Sequence, residues 1–240
     1  PKMKLGALLN KAGWSNVQVT NSYRSSNGQD WDLKQDSSVK SVLGGFTIEI
    51  ASPILVGEEG FESARNFLNF IFNNSKVSVG DKTNSGLHIH HEIKDLMQSQ
   101  KDLKVYGKQL VKIQEAIYSL CLDYRQNNSY CSRLSLSEID GNGLNLNDRN
   151  GFNFTDKGTL EFRMRESLND TDSILRWVKL TQKVVEDLLS VANKNITEYN
   201  QKSLETLELL KKEKLTQEYT EKSLTDYLIA DKISKILISN

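Results

Sequence analysis

The chain has 240 residues, of which 38% are hydrophobic and 26% charged, a balance that supports a buried core and excludes an intrinsically disordered protein. Its 31 basic and 31 acidic residues cancel, which argues against a broad electrostatic surface for nucleic acid or anionic lipid. No apolar run approaches the roughly 20 residues of a membrane span, and the start PKMKLGALLNKAGW has too short an apolar stretch for a signal peptide.

In chain order, residues 3–14 read as a short helix with Leu5, Leu8 and Leu9 on one side and Gly13 past its end. VQVTNSY (17–23) and DWDLKQD (30–36) alternate as strands, the second with Trp31 and Leu33 on one face and Asp32 and Lys34 on the other. GGFTIEIASP (44–53) is a third strand. Phe61, Ala64, Phe67, Leu68, Ile71 and Phe72 fall at helical spacing. VSV (77–79) begins another strand, followed by "NSGLHIHHE" (84–92), which holds all three histidines of the chain.

Residues 102–124 form a longer helix with Leu103, Tyr106, Leu110, Ile113, Ile117 and Leu120 on its core side. A polar, glycine-rich region over 126–150 follows, carrying Arg133 and Arg149, with Arg125 at its edge. TLEFRMRE (159–166) is a strand, and LNDTDS caps a helix with Ile174, Trp177, Val178, Val184, Val185 and Leu188. From about 199 the chain is helical, charged and glycine-free: a packed tail hairpin or an arm for a partner or for self-association, against the plainer reading of a solvated charged face. Cys121 and Cys131 have neither metal spacing nor a disulfide pattern and read as reduced thiols of a cytoplasmic protein. Irregularly ordered strands and helices predict an α+β fold, a largely antiparallel sheet with helices on one face.

Side chains two apart on a strand share a face. That places His88, His90 and Glu92 together, with Ile89 and His91 opposite. It sets Glu49 against Ile48 and Ile50, and Glu161, Arg163 and Arg165 against Leu160, Phe162 and Met164. If the three strands are neighbours in one sheet, the polar face collects Glu49, His88, His90, Glu161 and Arg163. Carboxylates with an imidazole suit Mg2+ or Mn2+ better than zinc, and an arginine beside them suits phosphate. Each element alone has a bland reading: HxH as a solvated strand face, Glu49 as an exposed strand residue, Glu161 and Arg163 as a cross-strand ion pair. As polar-face positions, Glu161 and His88 should be removable without opening a core cavity, whereas Phe162 should be structural.

"WDLKQDSSV", "GGFTIEIASPIL", "NSGLHIHHE" and "RNGFNFTDKGTLEFRMRESLN" resemble, in this order, the motifs of the amidoligase family, carboxylate–amine ligases with a glutamine synthetase-like fold. The corresponding glutamine synthetase elements look like a strand Glu, a GSGxHxH segment and an ExR strand. The resemblance covers roughly residues 3–190, and Asp36-Ser-Ser stands where the family usually reads Asp-Gly-Ser. It implies an amidoligase-like catalytic domain over 1–190 and a helical C-terminal extension over 191–240. The implied activity is ATP-dependent amide or peptide-like bond formation through an acyl phosphate, joining a carboxylate and an amine of amino acids, peptides or proteins.

By position, Glu49, His88 and Glu161 resemble ligands to Mg2+ or Mn2+, and His90 would lie near the ATP phosphates. Arg163, Arg149 and Arg133 would neutralise the transferring phosphoryl group or grip the substrate carboxylate. Such chemistry rests on positioning and electrostatics rather than on a protein nucleophile. Members usually begin with a strand carrying Glu-x-Glu, while this chain begins in what resembles the following helix, so that strand is expected upstream of Pro1 or lacking. The alternatives are a catalytically inactive relative acting as a binding or scaffold module, and a metal-dependent hydrolase using the same residues.

Overall fold

A computed structural model describes residues 2–20, 28–36, 47–73, 85–94, 97, 100–140 and 149–192. The described chain is mixed α and β, with six helices and two three-stranded sheets. It divides into two compact units, one running to Gly86 with Ser167–Arg176, the other Leu87–Glu166 with the stretch from Trp177.

The first unit holds α1 (Lys2–Lys11), β1 (Val17–Thr20), β2 (Trp31–Gln35), β3 (Ile48–Ala51) and α2 (Gly57–Asn73). Its sheet has the order β1-β2-β3, with β1 parallel and β3 antiparallel to β2. Alternation puts Trp31 and Leu33 into a core with Leu9 of α1 and Phe67 and Ile71 of α2, while Ile48 and Ile50 pack at its edge. The Trp31 ring stacks on Phe67 at 3.6 Å, and Trp14 meets Phe67 edge-on at 5.1 Å. Helix α1 approaches so closely that a side chain at Gly6 would meet Val19 Cγ2 at 2.6 Å. Helix α2 starts four residues before the apolar periodicity because its first turn, with Glu58 and Glu59, is polar and suits the positive helix N-terminus.

The second unit carries β4 (Gly86–Glu92), α3 (Gln100–Tyr118), α4 (Asp123–Gln126), α5 (Leu136–Asp140), β5 (Phe152–Phe154) and β6 (Thr159–Glu166). Helix α6 spans Thr171–Ala192. Here the sheet order is β4-β6-β5. Leu160, Phe162 and Met164 of β6 share one core with Leu110, Ile113 and Ile117 of α3 and with Trp177, Val184 and Leu188 of α6. The helices thus cover the apolar face of this sheet and leave its polar face for other work.

Three expectations change. The anticipated single, largely antiparallel sheet is two small sheets among the described residues, one with a parallel pair: β3 belongs to the first, β4 and β6 to the second. The helix expected over 102–124 ends at Tyr118, and α4 follows as a separate turn. The polar region 126–150, which its glycines suggested as loop, contains α5. The VSV strand, the start of GGFTIEI and the proposed extension over 191–240 fall outside the described residues, apart from the last turn of α6.

Candidate functional site

The polar face of the second sheet is built by a hairpin. Strands β5 and β6 turn through Asp156, Lys157 and Gly158, where Gly158 has φ +77°, a conformation that favours glycine. This register sets Asn153 opposite Glu161. Adjacent β4 keeps the period-two pattern of its sequence, with His88, His90 and Glu92 exposed and Ile89 and His91 turned inward.

Glu161 is the centre of the cluster. Its Oε1 lies 3.3 Å from His88 Nδ1, 3.5 Å from His90 Nε2 and 2.9 Å from Arg163 Nη1. Asn153 Nδ2 donates to its Oε2 at 3.1 Å. A carboxylate only accepts, so the facing imidazole nitrogens are Nδ1–H of His88 and Nε2–H of His90. The other ring nitrogen of His90, Nδ1, is 3.1 Å from the Thr159 hydroxyl, itself 2.7 Å from that of Thr155. Burial by itself would raise the Glu161 pKa. The hydrogen bonds from His88 and His90 and the charge of Arg163 outweigh it and hold the carboxyl far below its ordinary range.

Glu161 lies on the polar face that alternation assigned it, yet it is only 4% exposed. His88 and His90 of β4, Arg163 of β6 and Asn153 of β5 contact it, and removing it would leave Arg163 without its carboxylate.

The remaining site candidates are placed as follows. Arg163 also donates from Nε to the Tyr130 carbonyl at 3.4 Å, and the Arg149 guanidinium carbon lies 5.1 Å over the Tyr130 ring. Arg133 is held in a fork by Glu115 of α3 (2.5 and 3.0 Å), donates to the Gln126 carbonyl, and lies 4.5 Å over the Tyr118 ring. Those contacts make it a clip between helix and loop. Glu49 is exposed on β3 in the first unit, opposite Lys34, which is buried with Asp32. Arg165, on the Glu161 face by alternation, is buried against the Leu120 carbonyl, Glu166 and the Trp177 ring. Glu92 pairs with Lys94 at 2.5 Å.

Two contributors escaped the sequence reading. Asn153 sits on a strand of three residues, too short for periodicity, yet Phe-x-Phe and Leu-x-Phe flanking Asp-Lys-Gly is a hairpin signature. Buried Arg125 donates to the carbonyls of Arg163 (2.6 Å) and Met164 (3.4 Å) and fixes β6 beside the site. No local signal marks it, because its partners lie 38 and 39 residues away.

The donor types of Glu161 and His88, a carboxylate oxygen and an imidazole nitrogen, fit a Mg2+ or Mn2+ ion. Among the described residues, however, no group of three or more His, Cys, Asp or Glu side chains is gathered to hold a metal, and Oε1 of Glu161 already receives three donors. The set supplied by this sheet is therefore incomplete by itself.

Two small sheets with helices among the described residues, and an acid–imidazole–guanidinium cluster on one sheet face, define a mixed α/β class. A family model described as "Putative amidoligase enzyme" matches residues 7–141, more than half of the chain, and the chain belongs to this amidoligase family. Glu49, His88, His90 and Arg133 lie within the match, and Arg149, Glu161 and Arg163 lie beyond it. No curated protein and no solved structure matches the chain significantly. Among the described residues no helix is long and apolar enough to cross a membrane.

Proposed function

We propose that this protein is an ATP- and Mg2+-dependent carboxylate–amine ligase. The observation carrying this reading is the convergence of His88, His90 and Arg163 on one oxygen of a buried, deprotonated Glu161, in a chain of the amidoligase family.

A substrate carboxylate oxygen attacks the γ-phosphorus of ATP, ADP departs, and an acyl phosphate forms. The amine nitrogen then attacks the acyl carbon, phosphate leaves, and the nitrogen releases a proton to give the amide. None of this needs a nucleophile from the protein, so the residues act by orientation and charge. Arg163, with its guanidinium held by Glu161, spreads positive charge toward the transferring phosphoryl group. Glu161 keeps both imidazoles and that guanidinium in one arrangement, so little reorganisation accompanies the reaction. His88 and Glu161 would hold Mg2+ or Mn2+. When bound, that ion neutralises phosphate charge.

The test is ADP release by the full-length protein with panels of carboxylates and amines. ADP formed only with both substrates present, one per amide, supports the ligase. Silence across a broad panel rejects it.

A second reading has its own observation: the Glu161 oxygen is saturated by protein donors, and no three-ligand set is gathered among the described residues. A binding or scaffold module with this cluster as a structural lock fits that. Calorimetry with Mg-ATP separates the two, since a lock of this kind gives neither heat nor a thermal shift.

A further inference from the structure

Thr155 and Thr159 flank the turn of the β5–β6 hairpin. Thr155 N–H donates to the Thr159 carbonyl at 2.9 Å, and Gly158 N–H donates to the Thr155 carbonyl at 3.1 Å. The backbone thereby fixes the two hydroxyls 2.7 Å apart. Strand β4 is tied to the same turn, since Ile93 N–H donates to the Gly158 carbonyl at 2.9 Å. His90 Nδ1 thus arrives 3.1 Å from the Thr159 hydroxyl.

The charge of Glu161 sets the direction of every hydrogen bond in this chain of groups. A carboxylate has no proton to give, so His90 Nε2, 3.5 Å from Oε1, bears the hydrogen. In a neutral imidazole the other nitrogen is then bare and accepts, so the Thr159 hydroxyl donates to Nδ1. Its one proton is used there, and the 2.7 Å contact needs the Thr155 hydroxyl as donor. Protons therefore point from Thr155 to Thr159, from Thr159 to His90, and from His90 to Glu161.

We propose that Thr159 is a positioning residue: its hydroxyl, oriented by that of Thr155, locks His90 in the Nε2–H tautomer, so that the ring braces Glu161 with both nitrogens engaged. Its part in turnover rests on the ligase reading, whereas the proton positions do not.

The experiment is 15N spectroscopy of the full-length protein labelled in its histidine rings, which are only three, assigned by replacing each histidine in turn. At about pH 8, where an imidazole is ordinarily neutral, wild-type His90 shows a protonated Nε2 and a bare Nδ1. Thr159→Val keeps the branched shape suited to a strand but removes the hydroxyl, and it mixes the two tautomers. Thr159→Ser restores the wild-type pattern. Thermal melts confirm folding, and the wild-type spectrum tests the proton positions without any variant. A His90 with a bare Nε2, a His90 protonated at both nitrogens, an unmoved Thr159→Val spectrum, or a Thr159→Ser spectrum as altered as that of Thr159→Val overturns the proposal. ADP release on the same proteins keeps the two readings apart. With the ligase reading, Thr159→Val lowers the rate about tenfold or more and Thr159→Ser recovers it; a mixed tautomer with undiminished turnover overturns the part in turnover. A Thr159-dependent tautomer in a protein that releases no ADP removes the ligase and leaves the lock. ADP release by a protein whose His90 spectrum ignores Thr159→Val does the reverse.

Discussion

His88 Nδ1 lies 3.3 Å from Glu161 Oε1, the oxygen that Arg163 approaches to 2.9 Å from the same strand as Glu161 itself. One acid thus joins two strands and orders a guanidinium, and the consequences extend to activity, pH response and packing.

Asn153 supports the other oxygen of that acid. Asn153→Ala removes the amide donor 3.1 Å from Oε2 and loosens the carboxylate without removing its charge. Loss of a neighbour that orients a site residue costs about 10–100-fold in activity or affinity. The expected outcome is a drop of that size in the rate of ADP release, with a melting temperature close to wild type.

His91 points into the apolar side of the same sheet. Its Nε2 is 2.8 Å from the Thr181 hydroxyl, which itself donates to the Trp177 carbonyl at 3.0 Å, so the imidazole supplies the proton. Burial, with a smaller contribution from His90, pushes its pKa down to about 4. Between the ordinary histidine value of 6.5 and about 4, the unfolded chain binds a proton that the folded one refuses. Stability therefore falls as pH drops through this window, by on the order of 2–3 kcal/mol. The Glu161 contribution runs in a lower window: present above about 4.5 and lost progressively as pH falls below it, where the unfolded chain's carboxyl takes up a proton that the folded one refuses. Melts from pH 7 to 4.5 should show the decline in wild type and a flatter profile in His91→Phe.

Gly151 is buried against Tyr118, whose hydroxyl donates to the Cys131 and Ser132 carbonyls. A methyl group there would collide with the Tyr118 hydroxyl and press on Met164 Cε at 3.2 Å. Gly151→Ala should destabilise by about 1–3 kcal/mol, and Tyr118→Phe in the same chain should recover part of it. Denaturant midpoints of the two variants test the pairing.

Phe162 is fully buried, edge-on to Phe152 at 5.3 Å and to His91 at 5.8 Å. Phe162→Ala should cost about 3–5 kcal/mol in urea unfolding, because it leaves a cavity beside the Phe152 and His91 rings.

The sequence was most readable where a single strand's period carried the information. The inward and outward sides of GLHIHHE, and the apolar set Leu160, Phe162 and Met164, follow from alternation alone and emerge as expected. Pairing between distant strands leaves no such mark: nothing in FTIEI told that β3 pairs with β2 rather than with the histidine strand. The fates of charged side chains were hidden for the same reason. Arg133 and Arg163 look alike in the chain, but one is clamped by Glu115 and the other faces Glu161. Arg165 shares a face with Glu161 by counting, yet it is drawn into the interior by the Leu120 carbonyl and the Trp177 ring. Burial of Glu161 itself depended on a three-residue strand that periodicity cannot resolve.

The most direct test of the central claim is the rate of amine- and carboxylate-dependent ADP release by Glu161→Gln beside wild type, with the melting temperature of each recorded. Glutamine keeps the shape and the Asn153 contact while removing the charge that orders Arg163, His88 and His90. The account predicts a loss of about a hundredfold or more in a folded protein. Wild-type turnover by Glu161→Gln would contradict it.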